Sequence, residues 1–94
     1  MQTGIYQHYK GMLFLALGEG TIESDDLEPA IIYQALYGDY RLWIRSQKDF
    51  LQEVSIPDYN YTGPRFSFIK SWSTEEALLH PQALSPFKTA DRQD

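Results

Sequence analysis

The chain contains no cysteine. That absence excludes a disulfide framework, a thiolate nucleophile, an iron–sulfur cluster and the thiolate zinc sites, so the core must hold the fold together. Long apolar runs are missing too. The longest, Met12 to Leu17, has six residues, against the roughly 20 that a helix needs to cross a bilayer. The opening residues Met1 to Tyr6 carry neither the basic start nor the apolar stretch of a secretory leader. These features point to a cytoplasmic protein with no membrane contact. Basic residues are few: eight Lys plus Arg against thirteen Asp plus Glu give a net charge of −5, which speaks against binding duplex DNA by charge alone. Nucleophile-elbow, P-loop, zincin and dinucleotide motifs are all missing, so no catalytic residue, cofactor or metal is implied by motif.

What remains is a 94-residue chain with 43 % apolar and 15 % aromatic residues, a composition that fits one small globular domain. Ile5 to Lys10 alternates in side-chain character, Gly11 permits a reversal, and the apolar run Met12 to Leu17 suits a buried strand. Glu19 to Glu28 holds five acids and no base, which marks a solvated loop or hairpin tip. Ala30 to Tyr37 reads as a strand from its length and its β-branched pair, and Gly38-Asp39 turns the chain into Tyr40 to Ser46, where alternation is cleanest. A helical turn around Phe50, a short strand, a loop over residues 57–64 and a strand from Arg65 to Trp72 follow. Ser73-Thr74-Glu75-Glu76 has the polar cap and early acids of a helix start. The expected fold is all-β: a small SH3-like barrel or roll of five to six strands over residues 1–72, with a short helical turn and poorly ordered tail over 73–94.

Alternation also assigns faces. One face collects Ile5, Leu13, Leu15, Leu17, Ile32, Leu36, Leu42 and Ile44, with Phe66 and Phe68 joining them, and reads as the core. The opposite face collects Tyr6, His8 and Lys10, then Tyr33 and Tyr37, then Arg41, Trp43 and Arg45. Tyr and Trp faces stack on planar groups and hold cations, while an Arg fork grips carboxylate or phosphate through paired hydrogen bonds. Tyr59, Tyr61 and Arg65 are placed to wall such a patch. The same residues also fit a plainer reading, in which the aromatics cover the barrel exterior and the arginines pair with the acidic loop. His8, between two tyrosines and near Lys10, fits a structural, a ligand-binding or an acid–base role. The acids of residues 19–28 lack calcium-loop spacing.

Five blocks carry a family resemblance: Gly4-Ile5-Tyr6-Gln7-His8-Tyr9-Lys10-Gly11, Leu17-Gly18, Tyr33-Gln34-Ala35-Leu36-Tyr37-Gly38, Leu42-Trp43-Ile44-Arg45 with Phe50, and Pro64-Arg65-Phe66. In order and spacing they resemble the domain of unknown function 1653 family of bacteria. The resemblance implies a small SH3-type barrel and carries no assigned activity. Members often follow the Leu-Gly step with a His-Ser-Glu-Thr-like segment, whereas this chain has Glu19-Gly20-Thr21-Ile22. A site built on two histidines is therefore in doubt, and the tail after Trp72 has no counterpart in the family.

Three functions stay open on the sequence. The first is a binding module in which Tyr6, His8, Lys10, Tyr33, Tyr37, Trp43, Arg45 and Arg65 recognise an anionic or planar ligand: a nucleotide, RNA or a peptide. The second is an interaction domain using the acidic loop or the tail to meet a protein partner. The third is a small enzyme with His8 as base and Arg45 or Arg65 as anion holder. Charge partition refines the first of these, because residues 19–28 carry −5 while residues 1–18 and 29–72 each carry +1. Contact with a few phosphates thus stays compatible with the acidic total.

Overall fold

Gly11, at φ 107°, makes the first reversal of the chain in a conformation that side-chain-bearing residues avoid. It joins β1 (Gly4–His8) to β2 (Leu13–Thr21), which pair antiparallel with Ile5 opposite Leu15 and Tyr6 opposite Phe14. The structure, a computed structural model, describes residues 1–24 and 26–84. β2 runs further than its apolar stretch implied, carrying Glu19 and Thr21 alongside β3 (Pro29–Ala35), with a register shift between Ala16 and Gly18. The Gly38-Asp39 turn ends at Tyr40, which is itself left-handed at φ 55°, and leads into β4 (Leu42–Ser46).

Ser46 then caps α1 (Gln47–Phe50), its hydroxyl accepting the Asp49 N–H at 3.1 Å. β5 (Glu53–Ile56), a 3₁₀ turn over Pro57–Tyr59 and β6 (Tyr61–Pro64) follow. The expected loop at 57–64 thus contains a strand. β7 (Phe66–Lys70) returns to pair with β1, and α2 (Thr74–Leu79) starts at the Ser73 cap, whose hydroxyl accepts the Glu76 N–H. The main sheet has the order β4-β3-β2-β1-β7, and β5 and β6 form a separate ribbon. The expected all-β architecture with short helical turns is present. The expected tail falls in part outside the described residues, as does Asp25 of the acidic loop.

Two clusters fill the molecule, one on each face of the main sheet. The larger joins Tyr6, Phe14, Ala16, Ile31, Tyr33, Ala35, Phe50 and Phe66. Phe50, delivered by α1, stacks on Phe66 at 4.3 Å and meets Tyr6 and Tyr33 edge-on, the offset and T-shaped geometries that ring quadrupoles favour. The smaller joins Ile5, Leu15, Leu36 and Trp72, with Leu17, Tyr40, Ala77 and Ala83 packed against it. Alternation therefore grouped most of the residues correctly, but the roles of the two faces are reversed. The aromatic set lines the main core. The aliphatic set lies on the other face, where the segment from Trp72 to Ala83 covers its centre, and leaves Leu13, Leu42 (50 % exposed) and Ile44 (66 %) outside the core; Phe68, partly exposed, packs edge-on against Tyr6 on the aromatic face. Phe66 belongs to the aromatic cluster.

Candidate binding site

The aromatic face is not closed at its end. Where β1 ends, β2 begins and β4 passes, His8, Lys10, Met12, Phe14, Tyr33, Tyr37, Trp43, Arg45 and Phe66 line a hollow of about 180 Å³. Six of the eight residues proposed from the sequence meet there: His8, Lys10, Tyr33, Tyr37, Trp43 and Arg45. Tyr6 does not. It is 6 % exposed, its ring packs between Phe50 and Phe68, and its hydroxyl donates to the Gln2 carbonyl at 2.6 Å. Burial pushes its hydroxyl above the ordinary tyrosine pKa. Arg65 also stands off the hollow. Its Nε donates to the Asp49 carbonyl and its Nη2 to Gln52 Oε1, both at 3.1 Å, so it binds the end of α1 to the chain entering β7. Tyr59 and Tyr61 gather around Tyr9 instead, at 5.6 and 5.7 Å, with Lys10 above the Tyr59 ring.

Among the described residues, three basic side chains and no carboxylate line the hollow. Arg45 uses Nε to donate to the Tyr33 hydroxyl at 3.2 Å, and its guanidinium lies 5.8 Å from the Phe66 ring centre. Among the described residues it forms no ion pair, so the terminal nitrogens of its fork remain for a ligand. His8 stacks against Tyr9 at 4.2 Å and meets Phe66 edge-on. Its pKa is lowered from 6.5, chiefly by burial and then by the positive charges of Arg45, Lys10 and Arg65. The ring is neutral at pH 7.

His8 Nδ1 accepts the backbone N–H of Lys10 at 3.1 Å, which assigns the proton of the neutral ring to Nε2. The remaining polar atom of His8 is thus a donor. That suits an anion better than proton abstraction. Trp43 and Tyr37 stand partly exposed at the rim. Sequence reasoning did not place Met12, Phe14 or Phe66 in the site. The uninterrupted run Met12 to Leu17 carries no alternation, and only the pairing of Phe14 with Tyr6 and Ala35 shows which way it points.

Fold and site together define a small all-β barrel domain with a basic, aromatic-walled hollow at one end. The family model described as a protein of unknown function (DUF1653) matches residues 4–68. The chain belongs to that family. The crystal structure of a DUF1653 protein from Bordetella bronchiseptica is similar with a TM-score of 0.66 and 25 % identity, over 78 % of this chain and 92 % of that one. Comparison with curated proteins gives no match. The matched span contains every residue of the hollow, whereas Trp72 and α2 lie beyond it.

Proposed function

We propose that this protein is a non-enzymatic binding module whose hollow takes a small anionic group, such as a carboxylate or the phosphate of a nucleotide whose planar base lies against the rim. The convergence of His8, Lys10 and Arg45 on one aromatic hollow, with no carboxylate in its wall among the described residues, carries this reading. The hollow is smaller than the roughly 300–1,000 Å³ of sites that enclose a drug-sized molecule. It therefore suits one group of a larger ligand. Trp43 and Tyr37 provide stacking surface, worth about 1–3 kcal/mol per base where a base is the planar partner, and Arg45 provides a paired contact to the anion.

Intrinsic fluorescence tests the reading, because Trp43 is exposed at the rim while Trp72 is buried away from it. Titration with mononucleotides, short RNA oligomers and peptides with free carboxyl ends is expected to quench Trp43 with one class of these. Arg45→Gln should weaken that response at least about tenfold, the loss of one charge-assisted contact. The reading fails if millimolar concentrations of all three classes leave the emission unchanged.

A further inference from the structure

β4 is one edge of the main sheet, and its residues include no proline. The Ala35 N–H donates to the Arg41 carbonyl at 2.9 Å, and that pair continues the register that sets Tyr33 opposite Trp43 and Ile31 opposite Arg45. Bonded and non-bonded pairs alternate along an antiparallel ladder. The backbone N–H and C=O of Leu42 and Ile44 therefore point away from the sheet. Edge strands are commonly shielded by proline, an inward lysine or a covering element. The opposite edge, β7, carries Lys70 paired with Glu76 of α2, whereas β4 carries Leu42, Trp43 and Ile44, each at least 42 % exposed.

A hollow flanks this strand on each side. On one side Trp43, Arg45, Ser46, Lys48, Glu28 and Asp49 border a polar depression of about 620 Å³. On the other, Gly20, Ile22, Ala30, Ile32 and Ile44 border an apolar one of about 430 Å³. Side chains of an extended strand point alternately to its two faces. A strand laid along β4 would thus send alternate residues over the polar hollow and over the apolar hollow.

We propose that β4 is a docking edge for an extended segment of a partner protein, whose residues alternate between polar and apolar, with an acidic side chain beside Arg45. Its backbone completes the outward hydrogen bonds of Leu42 and Ile44, as in strand addition generally. Its apolar side chains lie on Ile22, Ile32 and Ile44. The acidic preference follows from Arg45, which forms no ion pair among the described residues, and from Arg41, whose one ion pair among them is a 3.5 Å contact with exposed Asp39. This surface extends beyond the barrel-mouth hollow, although Tyr33, Trp43 and Arg45 border both.

The test pans a displayed library of random hexapeptides against the full chain. Enriched sequences are expected to alternate apolar with polar residues and to favour Asp or Glu among the polar ones. A synthetic peptide of enriched sequence should lose affinity about tenfold or more when amides of one parity are N-methylated, and less than about twofold for the other parity, because only one set faces β4. Ile44→Glu should abolish binding of that peptide while fluorescence quenching by small anions at the barrel mouth persists. Failure to enrich any sequence, or equal sensitivity to N-methylation at both parities, overturns the proposal. So does a concentration-dependent dimer that Ile44→Glu converts to monomer, because a second copy would then hold the edge. The N-methylation arm uses the unaltered chain and stands even if Ile44→Glu does not fold.

Discussion

Arg45 Nε donates to the hydroxyl of Tyr33 at 3.2 Å, and this bond ties β4 to the floor of the hollow. Tyr33 is buried in the aromatic core, where an unpartnered hydroxyl would be costly, and Arg45 supplies its partner. The arginine is held in turn on one edge by the hydroxyl and over one face by Phe66. A planar guanidinium fixed in two directions presents the rest of its fork in one orientation. Core packing and the proposed anion contact therefore meet in a single side chain.

That coupling predicts different outcomes for two conservative changes. Tyr33→Phe removes the acceptor and leaves the ring packing intact, so it should cost about 1–2 kcal/mol of stability and loosen Arg45. Arg45→Lys keeps the charge but not the fork, and should cost little stability while weakening planar anions more than spherical ones. Chemical denaturation and Trp43 titration check both. Equal losses for a carboxylate and for chloride would refute a role for the fork.

Histidine 8 sets the pH dependence. Its folded pKa lies below 6.5 because burial, Arg45, Lys10 and Arg65 all disfavour the charged ring. The unfolded chain therefore binds more protons than the folded one as the pH falls below about 6.5. Stability associated with His8 is fully present above that value and declines as the pH drops towards the folded pKa. Binding should move in the opposite direction, since a bound anion favours the charged ring and so gains affinity as the pH falls. Proton NMR of the imidazole, with and without ligand, reads both effects. An upward shift of the pKa on adding ligand is expected.

Most strand positions were legible in the sequence because turns and alternation are local signals; β6, in the stretch read as a loop, was not. Gly11 and Gly38 adopt positive φ where a reversal was inferred, and Arg41, Trp43 and Arg45 do share a face. Which face is the core was not legible. Aliphatic residues ordinarily claim the interior, but a small barrel needs bulk to fill its centre, and Tyr6, Phe14, Tyr33, Phe50 and Phe66 supply it. The tyrosines can be buried because partners exist that no pattern reveals: the Gln2 carbonyl for Tyr6 and the Arg45 guanidinium for Tyr33. Six of the proposed residues meet at the hollow for the same reason, since a core face that opens at its end exposes its last polar members. Tyr6 and Arg65 stand off it because distance along a strand from that opening depends on register, which a single sequence does not fix.

Gly4 leaves no room for a side chain between β1 and the end of β7. It adopts φ 135°, and a Cβ there would lie 2.6 Å from the Lys70 carbonyl oxygen and 3.1 Å from the Ser71 Cα. Backbone atoms cannot yield as a flexible side chain can. Gly4→Ala should therefore cost several kcal/mol, on the order of 2–4, by combining a forbidden dihedral with a clash. The loss should appear as reduced hydrogen-exchange protection along β7 before β2 and β3. Gly18→Ala meets no atom within 4 Å and serves as the neutral comparison.

The second cluster depends on a buried amide. Gln34, on β3, donates through Nε2 to the carbonyls of Tyr40 at 3.1 Å and Gln82 at 3.4 Å, and its Oε1 accepts the Leu84 N–H at 2.8 Å. Tyr40 adds a hydroxyl contact to His80 Nδ1 at 2.8 Å. These bonds hold the chain after α2 across Leu36 and Trp72. Gln34→Leu keeps similar bulk but leaves backbone groups unpaired, so it should cost about 1–3 kcal/mol and release residues 80–84. Trp72 emission should then shift to the red and the chain become susceptible to proteolysis after α2, while His8 and Trp43 report an unchanged hollow. Unaltered exchange protection at the Ala83 and Leu84 amides in this variant would show that apolar packing, and not the amide clamp, holds the segment in place.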